Sequence, residues 1–392
     1  MIKLSTEKPI ALLAAGGTGG HMFPASVLAE QLKASGYEVH LATDARGVAY
    51  LPQLTQMIHH KLPAATVFNG GLLALPFRFL TLMISILSSL YLVHRLKPKV
   101  VVGFGGYPSF GPVMAALFIG RPVLVHEQNA VLGRANRLAA RCGASVATSY
   151  NQTQKVPAKA SERLRRTGNP LRAAVLKAAE NSYTPPSKSG AFELLVFGGS
   201  QGASVFSTVL PQAVEKLPKG LRNRLRIVHQ VRKADMQETL EAYGNLAVHA
   251  ELREFFNDLP IRMRRAHMVI SRGGASTIAE LAALGAPSLM VPLPGSLDQD
   301  QAVNGLELCE MGGALMSRQP EFTPEYLAEI LTQWMQNPEA LSGVSRRASA
   351  FGELDAAGRL TRYTQCLASG EPVQIDLPSS GNTQTQQEAN HG

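Results

Sequence analysis

The sequence predicts an α/β protein made of two Rossmann-like, doubly wound parallel-sheet domains that face each other across a cleft. Short apolar runs alternate with helical stretches along most of the 392 residues, and such alternation belongs to parallel sheets. The chain also exceeds the length at which a single hydrophobic core stops growing, so two domains are expected. Each half opens alike, with a glycine-rich turn after its first strand: Gly16-Gly17-Thr18-Gly19-Gly20-His21 and Gly198-Gly199-Ser200-Gln201-Gly202-Ala203. Ligands of such folds bind outside the carboxyl ends of the strands.

In the first half, residues 10–14, 38–42, 100–103, 122–126 and 145–148 read as strands, separated by helical stretches such as 24–35. Residues 153–192 turn rich in Lys, Arg, Pro and Ser around Gly168-Asn169-Pro170. They read as an interdomain connection, with a hinge near Arg165 to Arg172. The second half repeats the alternation with strands at 193–197, 226–229, 247–251, 268–270 and 288–291. A final helix over 353–367 is expected to pack back on the first domain, followed by a polar tail without apolar periodicity that reads as disordered. The expected units are 1–165, 166–345, a C-terminal helical segment 346–368 and the tail 369–392.

The formal charge of +9 calls for an anionic partner. Aromatic residues make up only 6% and no RNA- or DNA-binding motif is present, which argues against nucleic acid. Cys142, Cys309 and Cys366 show no CxxC spacing, so reduced thiols are expected in place of disulfides or zinc ligands. Residues 1–9 lack a long apolar stretch, and no signal peptide is expected. Residues 79–93 form an uncharged, mostly apolar run of fifteen, flanked by Arg78 and by His94, Arg95, Lys97 and Lys99. That is short of the ~20 residues of a spanning helix. An amphipathic helix resting on an anionic membrane surface through residues 72–99 is preferred to a core helix or a span.

Residues 271–304 carry the most specific chemistry. The strand 268–270, the tight exit Gly273-Gly274 and a helix over 277–284 would deliver free amides and a partial positive charge to a sheet edge. This arrangement suits a diphosphate. Glu280, about two turns into that helix, could accept both hydroxyls of a ribose. In the first turn Phe23 stands where the dinucleotide fingerprint needs its third glycine. A dehydrogenase reading through Asp44 would also leave the second turn and Glu280 unexplained. His21 opens a helix at the cleft, where the helix dipole disfavours an imidazolium; a general base and a capping imidazole fit equally. His59 and His60 read as surface residues, and His40, His126 and His229 as packed ones.

The polar strand exits 103–109 and 126–129 read as pocket walls. Arg134, Arg137 and Arg141 recur at helical spacing and form either a solvated face or a rim for lipid or pyrophosphate. Asp298-Gln299-Asp300 has the letters of a metal pair, but it lies in a loop where a sugar-hydroxyl contact is as economical. No metal and no cofactor are expected.

Gly16 to His21, Gly105-Gly106-Tyr107, His126-Glu127-Gln128-Asn129, Gly168-Asn169-Pro170-Leu171-Arg172, Gly198 to Ala203 and Ser271 to Asn304, in this order, resemble the bacterial MurG family. These are the N-acetylglucosaminyltransferases of peptidoglycan synthesis, and the resemblance spans residues from about 10 to 365. It implies a GT-B fold and UDP-N-acetylglucosamine as donor. The implied acceptor is undecaprenyl-pyrophosphoryl-N-acetylmuramyl-pentapeptide, at the cytoplasmic face of the inner membrane, with association with other cell-wall synthesis enzymes a further expectation. By resemblance the donor positions are Thr18, Gly19, Gly20, Asn129, Arg172, Ser200, Phe256, Ala275, Ser276, Thr277, Ile278, Ala279, Glu280 and Gln301. His21, Tyr107 and Glu127 fall on the acceptor side, with His21 and Glu127 as catalytic candidates. The chain departs from the family at Phe256, where an aliphatic residue is common, and at Asp300, where a glutamine is usual. Two rivals stay open: a UDP-sugar epimerase of the same fold needs no lipid-facing surface, and a membrane adaptor leaves the Glu280 block without a purpose.

Overall fold

A computed structural model describes residues 8–48, 57–63, 75–199, 202–296 and 299–372. The first sheet contains seven parallel strands in the order β3-β2-β1-β4-β5-β6-β7. They are β1 (Ile10–Ala14), β2 (Glu38–Thr43), β3 (Ile58–Lys61), β4 (Val100–Gly103), β5 (Val123–Glu127), β6 (Ser145–Thr148) and β7 (Leu164–Arg166). The second contains six, in the order β10-β9-β8-β11-β12-β13. These are β8 (Phe192–Phe197), β9 (Leu225–Gln230), β10 (His249–Arg253), β11 (Met268–Ser271), β12 (Ser288–Met290) and β13 (Leu315–Met316). Both sheets step outward from their first strand in one direction and then return to its other side. The order therefore reverses between β1 and β4 and between β8 and β11. A crevice opens at each reversal, because successive connections leave to opposite faces.

The helices of the first half are α1 (Gly19–Ala34), α2 (Leu75–Leu96), α3 (Tyr107–Phe118) and α4 (Arg134–Arg141). Next come α5 (Ala173–Ala179), α6 (Ser204–Lys216), α7 (Lys219–Arg222), α8 (Met236–Asn245) and α9 (Leu259–Arg265). The last are α10 (Ala275–Ala283), α11 (Asp300–Glu310), α12 (Pro324–Gln336), α13 (Pro338–Phe351) and α14 (Ala356–Ser369). The strands are apolar on both faces because helices cover both sides. Along β1, Ala11 and Leu13 join one core with Met22, Leu28 and Leu32 of α1, while Leu12 and Ala14 join the opposite core with Val113 and Ala115 of α3. The side of the first sheet that carries α1 also receives Leu360 and Tyr363 of α14. The Tyr363 hydroxyl donates to the Arg163 carbonyl at 2.6 Å, so the end of the chain closes the first half's core.

All ten expected strands are present, with ends displaced by a residue or two, and three more join them. β3 and β13 are short and carry mostly exposed or half-buried side chains, so neither presents an apolar run. β7 lies inside the stretch expected to be a mere connection, and the boundary expected between 165 and 166 cuts through it. It pairs with β6 through Thr148 and Arg166, which ties the chain to the first sheet until Thr167. The boundary expected at 345/346 falls inside α13, whose Ala348 packs with Ile278 of α10 in the second half. The crossover comes later, at Gly352. There a Cβ would lie 2.8 Å from the Cα of Ala283, an approach that only glycine permits. Of the tail, Ser369 still belongs to α14, and 373–392 lies outside the described residues.

Candidate functional site

Both sequence-predicted turns sit at the two strand-order reversals. At the first, β1 ends and α1 starts after Thr18, whose backbone is extended and whose side chain is exposed. Gly16 passes so close to the neighbouring turns that a Cβ would meet Pro108 at 2.8 Å and the Asp44 carboxylate at 2.9 Å. Asp44 accepts from Arg46 Nε and Gly47 N, both at 2.9 Å, and braces the turn from the end of β2. Gly105 and Gly106 leave β4 with left-handed φ of 86° and 73°. The ring of His21 lies against them: a Cβ on Gly106 would stand 3.3 Å from its Cδ2. His21 is half-buried, and its Nδ1 lies 3.0 Å from Gln128 Oε1 at the end of β5. Thr18, Gly20, His21 and Tyr107, which opens α3, thus share the crevice between β1 and β4.

Glu127 is held at the end of β5 by a set of hydrogen bonds. Its Oε1 accepts from Asn129 N and Nδ2, both at 3.1 Å, and its Oε2 accepts from Gly133 N at 2.8 Å and Asn136 Nδ2 at 2.9 Å. Four donations occupy the two oxygens of a side chain that is 3% exposed. Through these bonds Glu127, a catalytic candidate by resemblance, fixes the loop that presents Asn129.

At the second reversal, α10 starts after Gly274 with Ala275. The buried hydroxyl of Ser276 has no hydrogen-bond partner among the described residues, at a helix end where free amides also face outward. The run Ala275 to Glu280 does not act as one surface, because a helix turns its side chains through 100° per residue. Ile278 is fully buried with Met290 and Leu308, so only its backbone could meet a donor. Ala275 packs with Ala130 and Tyr150 of the first half. Thr277 and Ala279 are half-buried.

Glu280 is 8% exposed and receives Arg172 in a fork, Nε to Oε1 and Nη2 to Oε2, each at 2.9 Å. Burial raises the carboxyl's pKa, and the charge and hydrogen bonds of Arg172 act against that rise. Nη2 also lies 2.7 Å from Oε1, so Oε2 is the oxygen with a second lone pair left for a hydroxyl. The Arg172 guanidinium also lies over the Phe23 ring of α1, 5.0 Å from its centroid. One side chain thus connects the helix bearing Glu280 to the helix bearing His21.

Gln301 in α11 spends its Oε1 on the Leu293 amide at 3.0 Å, and Asp300 accepts the Gln301 amide at 2.7 Å. Phe256 is 5% exposed and sits beneath Arg262, whose guanidinium lies 4.5 Å from the ring centroid. Among the described residues, no three His, Cys, Asp or Glu side chains group as a metal site. Ser200, expected beside the diphosphate, and Asp298 of the Asp298–Asp300 pair lie outside the described residues.

Sequence reasoning missed Asn304, which is fully buried in α11. Its Oδ1 accepts from Ala130 N at 2.7 Å, and its Nδ2 donates to Asn129 Oδ1 at 3.1 Å and to the Gly273 carbonyl at 3.3 Å. It joins the β5 exit of one half to the β11 exit of the other. Asn304 closed the most informative stretch of sequence, but nothing local distinguishes a buried bridging amide from a solvated one.

Comparison with known proteins fits this geometry. The Glycosyltransferase family 28 N-terminal domain matches residues 11–148, and the Glycosyltransferase family 28 C-terminal domain matches 193–360. Two relatives carry the name UDP-N-acetylglucosamine--N-acetylmuramyl-(pentapeptide) pyrophosphoryl-undecaprenol N-acetylglucosamine transferase. The one from Brucella anthropi is 47% identical over 94% of this chain and 97% of its own. The one from Brucella abortus strain S19 is 46% identical over 93% and 96%. Among solved structures, MurG of Acinetobacter baumannii superposes with a TM-score of 0.73 at 26% identity, covering 92% of this chain and 99% of that one. The UDP-GlcNAc 2-epimerase of Neisseria meningitidis, at 14% identity and a TM-score of 0.65 over 91% and 99%, shares the fold alone. With paired parallel-sheet domains of GT-B type and near-complete matches at this identity, the chain belongs to the MurG family of glycosyltransferases.

Proposed function

We infer that this protein transfers N-acetylglucosamine from UDP-N-acetylglucosamine to the 4-hydroxyl of undecaprenyl-pyrophosphoryl-N-acetylmuramyl-pentapeptide, with inversion at the anomeric carbon. The observation that carries the reading is Arg172, which forks onto Glu280 while lying over Phe23, two residues from His21. A nucleotide held at α10 and a hydroxyl held at α1 would meet in one cleft.

A ribose hydroxyl of the donor takes the free lone pair of Glu280 Oε2, and the diphosphate takes the amides at the start of α10 with the Ser276 hydroxyl. The helix dipole there stabilises the negative charge that develops on departing UDP. The acceptor hydroxyl enters from the first half and attacks the anomeric carbon opposite UDP. His21 removes its proton as the carbon–oxygen bond forms. Binding the two substrates on separate halves turns a two-body collision into a reaction within one complex.

The lipid part of the acceptor explains an otherwise costly surface. Met83, Ile84, Leu87 and Tyr91 of α2 are 42–66% exposed and share a helical stripe, and Phe118 at the end of the packed neighbour α3 is 84% exposed. His94, Arg95 and Lys97 follow the stripe. This apolar surface with a basic border fits an anionic leaflet. No helix among the described residues is long and apolar enough to cross a membrane.

The test is UDP release from UDP-N-acetylglucosamine with and without a short-chain analogue of the muramyl-pentapeptide lipid, with products weighed by mass. Acceptor-dependent release with a disaccharide-lipid product is expected. His21→Ala should lose ~10²–10⁴-fold in kcat. Donor conversion without acceptor would overturn the transferase reading, and near-normal turnover of His21→Ala would overturn the base.

A further inference from the structure

We propose that the buried side chains of His126 and Gln128 are positioning residues that fix the tautomer of His21, holding its proton on Nδ1 and leaving Nε2 as the base. The inference rests on the reading of His21 as the proton acceptor and deepens it. Three hydrogen bonds run in series from the crevice into the core. His21 Nδ1 lies 3.0 Å from Gln128 Oε1, Gln128 Nε2 lies 2.9 Å from His126 Nδ1, and His126 Nε2 lies 3.0 Å from the Gly168 carbonyl. His126 is fully buried and Gln128 is 2% exposed, so water does not substitute for any link.

The direction of each bond follows from its fixed end. A carbonyl oxygen only accepts, so His126 must carry a proton on Nε2. Burial lowers the pKa of this imidazole to about 4, so it is neutral and its Nδ1 is a bare acceptor. The amide nitrogen of Gln128 donates to that lone pair. A second fixed acceptor requires the same orientation: Gln128 Nε2 also lies 3.1 Å from the backbone carbonyl of His126. Turning the amide over would set oxygen against oxygen there and against a bare nitrogen at the ring. Two backbone carbonyls, of Gly168 and His126, thus turn the amide oxygen toward His21. That oxygen can only accept, so His21 Nδ1 donates.

A neutral His21 then has an unprotonated Nε2, which is the opposite of the preference of an imidazole free in water. Among the described residues no hydrogen bond engages this nitrogen. The absent side chain of Gly106, where a Cβ would stand 3.5 Å from it, keeps the approach open. The inner end of the series is equally constrained. Gly168 has φ of 81° and follows Thr167, whose carbonyl accepts Arg359 Nε of α14 at 3.1 Å, and Arg359 also pairs with Glu353. The proton order at the crevice is thereby anchored at the crossover between the halves.

Nitrogen-15 NMR of the full-length protein with labelled histidine tests the assignment, the His21 signal being identified by its loss in His21→Gln. In its neutral form, His21 should be protonated at Nδ1 and bare at Nε2. In Gln128→Met the same ring should shift toward the Nε2–H form. Its kcat should fall at least ~10-fold, within the ~10⁴-fold that a wrong tautomer at a catalytic histidine can cost, while the KM for donor stays unchanged. An Nε2–H ring in the unsubstituted protein, or an unchanged tautomer in folded Gln128→Met, overturns the proposal. If Gln128→Met does not fold, the tautomer of the unsubstituted protein decides alone. Full turnover by His21→Ala would defeat the base reading but leave the NMR result as found, so the two failures are distinguishable.

Discussion

Asn304→Ala should loosen the joint between the halves. Ala130 is 3% exposed, and its amide would lose its acceptor, Asn304 Oδ1. An unpartnered buried donor costs ~1–3 kcal/mol. The two donations from Nδ2, to Asn129 Oδ1 and the Gly273 carbonyl, are worth ~0.5–1.5 kcal/mol each. Some of that loss returns as water enters the space, which leaves about 2–4 kcal/mol against the joined arrangement. At 1.4 kcal/mol per decade, the equilibrium between joined and parted halves moves ~30- to 700-fold. The donor KM should rise, because apparent affinity scales with the competent fraction. Asn304→Asp keeps an acceptor for Ala130 but turns a carboxylate oxygen toward Gly273 O, so it should also be impaired. Urea unfolding and steady-state kinetics read both effects. Stability within about 0.5 kcal/mol of the unsubstituted protein, together with a donor KM within twofold, would refute the bridging role.

Glu280→Gln should raise the donor KM about tenfold or more with a smaller effect on kcat, because the Arg172 fork and a ribose acceptor are lost together; unchanged UDP affinity by calorimetry would contradict the assignment. Acid should destabilise the protein well before its carboxylates titrate. Burial lowers His126 from 6.5 to about 4 and His229 to about 3, so their contribution is complete above pH 6.5 and is lost as pH falls from there toward those values. By pH 5 the two together remove on the order of 4 kcal/mol, and flat stability between pH 7 and 5 would show that the rings are not held neutral. Leu87→Glu and Tyr91→Glu should weaken binding to anionic vesicles while turnover of a detergent-soluble acceptor persists; equal vesicle binding would remove α2 from the membrane contact.

The sequence by itself determined the paired parallel-sheet architecture, the two glycine-rich turns and a helix after Gly273-Gly274, expected from 277 and found to start at Ala275. These features are local: a strand apolar on both faces, a turn that needs glycine and a helix that follows within a few residues each mark their own position. The family resemblance ordered these features along the chain. Only the tertiary structure decided which polar groups meet. Glu127 is identical in type to a catalytic carboxylate, yet four donors from residues 129 to 136 fill its oxygens. Gln128 and Asn304 look ordinary in sequence, and they matter because burial leaves each amide a single satisfiable set of partners. The same holds for β7, which is set by its pairing with β6 and carries no apolar run of its own. A hydrogen bond between groups 107 or 174 residues apart leaves no periodic trace, because its energy depends on the removal of water, which occurs only once the halves have packed.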